Sequence, residues 1–252
     1  MGWLFNRKTK QAADISWLKT DIHSHVIPGI DDGAATMKDS LQLVSEMSKL
    51  GYKKMIVTPH VRFGSFENDT DTFDKRLEQM QNAVKDAGID MQFEIGAEHT
   101  IDDNFRELFK INKLKTFSNG HLLIEFPFMN MPTHWKELIF DLQIAGYKLI
   151  LAHPERYVAY LPYDKNIIDE LKDRDILFQM NITSLAGFYG KDVQKFAKYL
   201  VQKNYVDILG SDLHNMRHIG YLQQAIHNKD VYNLIDSKKL INNKFYSDNK
   251  KI

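Results

Sequence analysis

His23 and His25 lie one residue apart in an apolar run, so on a β-strand both imidazoles face the same side and can bind neighbouring metal ions. Asp212 and His214 repeat that spacing near the other end of the chain. Between them, groups of the same chemistry recur where short apolar runs end: His60, Glu98, Glu125 and His153. A single His or Glu at such a place is ordinarily a satisfied structural residue. Eight of them, converging from six strands on one rim, read differently. Burying several carboxylates together without a cation is prohibitively costly, so the pattern predicts a metal site. A mixed imidazole and carboxylate set without sulfur suits Zn, Mn, Fe or Co, and it exceeds the roughly four ligands of one tetrahedral zinc. Two or three divalent ions are therefore expected. His99, which should point to the opposite face of its strand, and the unpaired His121, His134, His218 and His227 stay outside this set.

Elements must carry these groups to one place. Seven candidate strands are read at Asp21 to Ile27, Lys54 to Pro59, Met91 to Glu98, His121 to Pro127, Lys148 to His153, Ile176 to Ile182 and Val206 to Asp212. Only the sixth, ending Asn181-Ile182-Thr183, offers no ionisable group. Most are separated by helical stripes: Met37, Leu41, Val44, Met47 and Leu50, with Thr36 and Asp39 as a capping box and Gly51 as a stop; then Phe73, Leu77, Met80 and Val84, followed by Gly88. Trp135, Leu138, Ile139 and Leu142 form a third stripe, and Val193, Phe196, Ala197 and Leu200 a fourth. Strands alternating with helices predict βα units around a parallel sheet, and in parallel barrels the substrate site lies at the C-terminal rim, where these ligand types gather.

The chain has 252 residues, 43% of them hydrophobic, enough for one substantial core. Residues 1–16 lack sustained periodicity and are expected to form a flexible tail, with 17–252 as a single domain. Lys+Arg and Asp+Glu number 33 each, so there is no basic excess to neutralise a nucleic-acid backbone. No apolar run is long enough for a transmembrane helix, and the first residues do not read as a secretory signal, so a cytoplasmic protein is expected. With no cysteine, disulfides, thiolate ligands and a thiol nucleophile are all excluded.

The ordered series Asp21-Ile22-His23-Ser24-His25, Pro28-Gly29-Ile30-Asp31-Asp32-Gly33, Thr58-Pro59-His60, Gly96-Ala97-Glu98, Leu123-Ile124-Glu125-Phe126, His153-Pro154-Glu155-Arg156-Tyr157 and Ser211-Asp212-Leu213-His214-Asn215 resembles the polymerase and histidinol phosphatase (PHP) superfamily. Within it, the series is most similar to the tyrosine phosphatases of bacterial capsule and exopolysaccharide loci. The match runs from about Leu18 to Asn215, and His-x-His alone is weak where the whole series is specific. The resemblance implies a distorted (β/α)7, TIM-like barrel with a trinuclear metal centre, Mn being the first choice of ion. It carries the ligand roles onto His23, His25, Asp32, His60, Glu98, Glu125, His153, Asp212 and His214. Asp32 enters by the resemblance, since spacing does not choose it over Asp31 or exclude a turn role for Asp31-Asp32-Gly33. The phosphate-binding arginines fall on Arg156 and, in a segment of less definite register, on Arg217.

The function so implied is hydrolysis of phosphotyrosine on a protein, the partner being a bacterial tyrosine kinase of the polysaccharide-export system. A metal-activated hydroxide would attack phosphorus in line while arginine and metal hold the phosphoryl oxygens. A tyrosyl leaving group of pKa near ~10 departs without a strong general acid. Phe63, Phe66, Phe126, Phe128 and Tyr157 lie near ligand-bearing strand ends, where packing is the ordinary role and stacking on an aromatic substrate the functional one. Arg156 likewise has an ordinary alternative, a salt bridge with Glu155 or a nearby loop carboxylate. The competing readings are a small-molecule phosphoesterase of the histidinol-phosphate type, a metal-dependent amide or ester hydrolase, and a non-enzymatic module whose ions keep no open position.

Overall fold

Apolar runs too short for helices pair side by side in parallel, and the amphipathic stripes between them cover the outside. The computed structural model describes residues 12–247. Its strands are β1 (Thr20–Asp21), β2 (Lys54–Val57), β3 (His60–Val61), β4 (Gln92–Ile95), β5 (Glu98–Thr100), β6 (His121–Glu125), β7 (Lys148–Ala152), β8 (Leu177–Asn181) and β9 (Ile208–Gly210). They form two parallel ladders, β1-β2-β4 and β3-β5-β6-β7-β8-β9.

The seven expected strands are present, but the second stops at Val57 and the third at Ile95, and each resumes at or beyond its expected end as a short further strand, β3 and β5. Pro59, which has no N–H to give a ladder, separates β2 from β3. Gly96 separates β4 from β5 and has no room for a side chain, since a Cβ there would lie 2.5 Å from the Phe117 ring. Pairing continues across both breaks through Gly96 N to Val57 O (2.9 Å) and Glu98 N to Pro59 O (3.0 Å). The expected first strand is regular only over Thr20–Asp21. Its continuation still joins both neighbours: Thr58 N donates to Ser24 O (2.9 Å), and a lone parallel bridge, Ser24 with Leu213, meets the segment after β9. The ring therefore closes as a distorted seven-stranded barrel.

Helices α1 (Met37–Lys49), α2 (Phe73–Asp86), α3 (Phe105–Lys110), α4 (Trp135–Ile144), α5 (Lys165–Asp173), α6 (Ile182–Leu185), α7 (Lys191–Gln202), α8 (Met216–Ala225) and α9 (Lys229–Asp236) complete the fold. The capping box of Thr36 and Asp39 forms as expected. The stripes of α2, α4 and α7 are buried residue for residue. That of α1 is rotated, with Ser40, Leu43, Val44 and Met47 buried and Leu41 only partly so. The Ser40 hydroxyl donates to Val26 O at 2.6 Å, which turns this face inward.

One apolar cluster fills the space between strands and helices, and a smaller one lies within the strands: Ile22, Ile56, Leu123, Ile150, Ala152 and Ile208, joined by Phe117 and Phe245. After α9 the chain returns to this end, where the buried Asn242 amide donates to Thr20 O (3.0 Å) and Leu209 O (2.7 Å).

The expected tail through residue 16 is too long. Residues 1–11 lie outside the described residues, but Ala13 is buried and donates its N–H to Ile226 O at 2.7 Å, and Ile15 is 2% exposed in the core. The sequence concealed this because Ala13, Ile15 and Leu18 follow no helical or strand period. Replacing Ile15 by Ala should therefore cost about 2–4 kcal/mol of unfolding free energy in urea denaturation. A loss below about 0.5 kcal/mol, the scale of a surface change, would show that this segment does not pack.

Candidate metal centre

All of the sequence-predicted ligand types meet at the C-terminal end of the strands. Four overlapping sets of nitrogen and oxygen atoms form there, each with its atoms within 4.8 Å of one another: His25, Asp32, His60 and His214; His23, Glu98 and His153; His23, His25 and Asp212; His60, Glu98 and Glu125. Together they contain the nine residues named from the sequence and none of the five histidines set aside. His99 indeed turns the other way, where its buried Nε2 accepts from Lys115 N at 3.0 Å and burial pushes its pKa down to about 3.

Local backbone places several of these groups. His153 and Asp212 are non-glycine residues at φ 32° and 51°, a sparsely populated region whose strain the surrounding contacts must hold. Gly33 closes the Asp31-Asp32-Gly33 turn against His25, whose carbonyl oxygen would lie 2.0 Å from any Cβ at that position. The turn separates the two aspartates. Asp31 points back, taking His25 Nδ1 at 2.8 Å and Gly33 N at 3.0 Å. Asp32 points forward, its Oδ1 3.3 Å from His214 Nε2 and 3.5 Å from His60 Nε2.

The charges are buried deeply enough to perturb one another. Burial alone would push the His23 pKa down, but the Glu98 and Asp212 carboxylates overcome it and raise it to about 10. His214 is likewise pushed down by burial and raised more by Asp32 and Asp212, to about 9. His25 goes the other way, to about 4, through burial and the neighbouring His214 and His60. Against their burial, Glu98 and Asp212 are held well below the usual carboxylate range, His23 being the largest opposing influence on each. The result is a close-set mesh of charged groups in which His23 Nε2 lies 3.1 Å from His25 Nε2 and 3.2 Å from Glu98 Oε2.

Hydrogen bonding does not account for all of this mesh. His60 Nδ1 and Glu98 Oε2 approach to 2.9 Å, yet neither has a hydrogen-bond partner of proper geometry among the described residues, and the buried Nδ1 of His153 is also unpartnered. Two ligand atoms side by side and aimed past one another suit a shared cation. The donor set, imidazole nitrogens and carboxylate oxygens without sulfur, fits a divalent transition metal.

Beside the cluster opens a cavity of about 440 Å³ lined by the ligand-type residues Asp32, His60, Glu125, Asp212 and His214 together with Arg62, Phe128, Arg156, Phe188, Tyr189 and Arg217. Both arginines named from the sequence reach it. Arg156 donates to Asp212 Oδ2 at 2.9 Å and is sandwiched between the Phe128 and Tyr189 rings, 4.8 and 4.6 Å from their centroids. Of the alternative partners expected for it, Glu155 is buried and turned away, accepting from Asn181 N and Ser184 Oγ, whereas the salt bridge to a nearby carboxylate does form, with Asp212. Arg217 lies in the first turn of α8, over Phe188 and Tyr221.

Of the aromatic residues near the strand ends, Phe128 lines the cavity and Phe66 stacks on His60. Tyr157 and Phe126 are core residues, the Tyr157 hydroxyl donating to Ala152 O and accepting from Phe126 N. Four contributors were missed. Arg62, two residues beyond His60 and so on its side of the strand, pairs with Glu125 and Thr100. Gln179 and Asn181 contact His23 and Asp212, and their period-two spacing in a buried strand was the available signal. Tyr189 follows the sixth strand in a turn and carried none.

Because His23 and His214 keep their protons well above neutrality in chelator-stripped protein, and a metal ligand must present a lone pair, cation binding at pH 7.5 should expel those protons. Calorimetry in buffers of different ionisation enthalpy reads this directly. Binding with no proton release would mean that these two imidazoles are not ligands.

Comparison with known proteins agrees with this geometry. Residues 19–230 match the family described as capsular polysaccharide synthesis, CpsB/CapC. The tyrosine-protein phosphatase YwqE of Bacillus subtilis is 30% identical over 198 residues, 78% of each chain. The tyrosine-protein phosphatase CpsB of Streptococcus pneumoniae is 28% identical over 215 residues, 81% of this chain and 87% of that one. A crystal structure from work on these two proteins, described as unique metal-dependent tyrosine phosphatases, superposes with a TM-score of 0.74 at 26% identity, covering 88% of this chain and 95% of the other. The histidinol phosphate phosphatase of Lactococcus lactis, at TM-score 0.54 and 18% identity over 82% of this chain and 92% of its own, shares the fold. The chain belongs to the CpsB/CapC family of capsular polysaccharide synthesis proteins.

Proposed function

We propose that this protein is a metal-dependent tyrosine phosphatase, a phosphoric monoester hydrolase acting on phosphotyrosine in a protein substrate. The observation that carries the reading is the convergence of nine imidazole and carboxylate ligands with an aromatic-walled cavity that also receives Arg156 and Arg217. In it, His23, His25, Asp32, His60, Glu98, Glu125, His153, Asp212 and His214 hold two or three divalent cations, Mn²⁺ first among Mn, Fe, Zn and Co. Bound there, such cations supply an activated water and Lewis-acid stabilisation of phosphoryl oxygens.

The chain's own residues do the rest. Arg156, already oriented by two rings and a carboxylate, presents two parallel N–H donors to the phosphoryl group, and Arg217 lines the same cavity as a second cation. Phe128, Phe188 and Tyr189 line the space beside them, where a phenyl ring can stack. Since the chain has no cysteine, no thiol nucleophile takes part. Among the described residues no helix is long and apolar enough to cross a membrane. A cytoplasmic location, and a tyrosine kinase of the polysaccharide-export system as the phosphorylated partner, complete the proposal.

Chelation should abolish hydrolysis of a phosphotyrosine peptide, and Mn²⁺ should restore it, whereas iodoacetamide should have no effect. Full turnover in metal-stripped protein, or preference for histidinol phosphate over the peptide, would overturn the assignment. Arg156→Ala should lower turnover by about a hundredfold or more, the scale of one lost transition-state donor. Arg156→Lys should recover part of it, and metal content should hold, because Asp212 keeps Asn181 and Tyr189 as donors. If Arg156→Ala loses metal while keeping turnover per loaded molecule, Arg156 is a brace for Asp212 and not a clamp on phosphate.

A further inference from the structure

The sixth strand sends no ionisable side chain to the rim, yet two of its residues, Gln179 and Asn181, are fully buried against the cluster. Being two apart on β8, they face the same way. Gln179 Oε1 lies 2.8 Å from His23 Nδ1. Gln179 Nε2 donates to Asn181 Oδ1 at 2.9 Å, and Asn181 Nδ2 donates to Asp212 Oδ2 at 2.8 Å. An unbroken chain of three hydrogen bonds thus joins a histidine on the first strand to an aspartate after the seventh.

Its direction is dictated at one end. An ionised carboxylate only accepts, so Asn181 must turn its nitrogen to Asp212 and its oxygen to Gln179. Gln179 must then give its nitrogen to Asn181 and its oxygen to His23, which has to carry a proton on Nδ1. The backbone agrees, since the His153 N–H, which can only donate, points at the same Gln179 oxygen from 3.4 Å. Flipping either amide would set donor against donor or oxygen against carboxylate. Space is reserved for the arrangement as well: at Gly210 a Cβ would fall 2.4 Å from Gln179 Nε2 and 3.0 Å from His23 Cβ.

We infer that Gln179 and Asn181 are positioning residues that form a one-way amide relay, holding His23 and Asp212 as a matched pair of metal ligands. The relay keeps the His23 proton on Nδ1, so that Nε2 faces the cluster. At its other end it occupies Asp212 Oδ2 together with Arg156 and Tyr189, leaving Oδ1, 3.5 Å from both His23 Nε2 and His25 Nε2, as the ligand atom. The inference rests on the proposed metal site and goes beyond it by assigning a role to two residues that touch no cation. Outer groups of this kind commonly tune metal affinity by about 10–100-fold.

The test strips the full-length protein with chelator and measures Zn²⁺ uptake against a chromophoric competitor, for the wild type, Gln179→Met, Asn181→Leu and the double variant. Each single variant should weaken the binding of at least one Zn²⁺ by about 10–100-fold. Because the links act in series, the double variant should be no worse than the weaker single one. Losses that multiply in the double variant would mean two independent braces, and unchanged affinity would mean packing alone; either overturns the relay. Long-range ¹H–¹⁵N correlation on the Zn²⁺-loaded wild type supplies a check that needs no variant. It should place the His23 proton on Nδ1, and metal coordination through Nδ1 would overturn the relay. A wild type that binds no Zn²⁺ would instead remove the metal site itself, and the relay with it.

Discussion

Glu98 and Asp212 are buried to 0% and 2% exposure within a few ångströms of each other's imidazole partners, and no ordinary protein interior tolerates that much unscreened charge. The His23, His60 and His214 imidazoles, whose pKa values these carboxylates and their neighbours raise, and the Arg156 and Arg62 guanidiniums answer it in the metal-free cluster, and divalent cations answer it in the proposed function. Much of the rest of the structure serves this one requirement. The strands end together so that the groups converge. Gly33 and Gly210 give up side chains where the backbone or Gln179 must pass close. His153 and Asp212 accept left-handed backbone to aim inward.

Most of this was legible in the sequence for a simple reason. Ligand chemistry is carried by few residue types, and a strand's period of two states which side each faces; hence His23 with His25, and Asp212 with His214. Helix stripes were legible through the same logic at a longer period, and α2, α4 and α7 match their expected faces. Three things were not legible. The ladder resumes as β3 beyond Pro59, where the second strand was expected to end, and Gly96 interrupts the third inside its expected range. Ala13 and Ile15 pack without any period. The choice between Asp31 and Asp32 depends on a turn whose two carboxylates diverge, which only geometry reveals.

Neutral amides were undervalued for a related reason. Gln179 and Asn181 bear no charge and match no ligand pattern, so attention to ionisable groups passes over the strand that holds them. Their polarity in a strand otherwise made of Leu177, Phe178 and Met180 was nonetheless visible, since a buried amide must find partners. Arg156 shows the complementary case. Its charge drew notice, but the two rings that orient it, Phe128 and Tyr189, come from separate loops that no local pattern connects.

The lone bridge between Ser24 and Leu213 gives the barrel its thinnest seam, with Asp212 N to His23 O and His25 N to Leu213 O as the hydrogen bonds across it. His23 and His25 lie on one lip of that seam, Asp212 and His214 on the other. A cation gripped by both lips would therefore act as a clasp, fastening the first strand to the seventh where the backbone does so least. Catalytic competence and closure of the cylinder would then be gained or lost in a single event, and a stripped molecule would breathe first along this line.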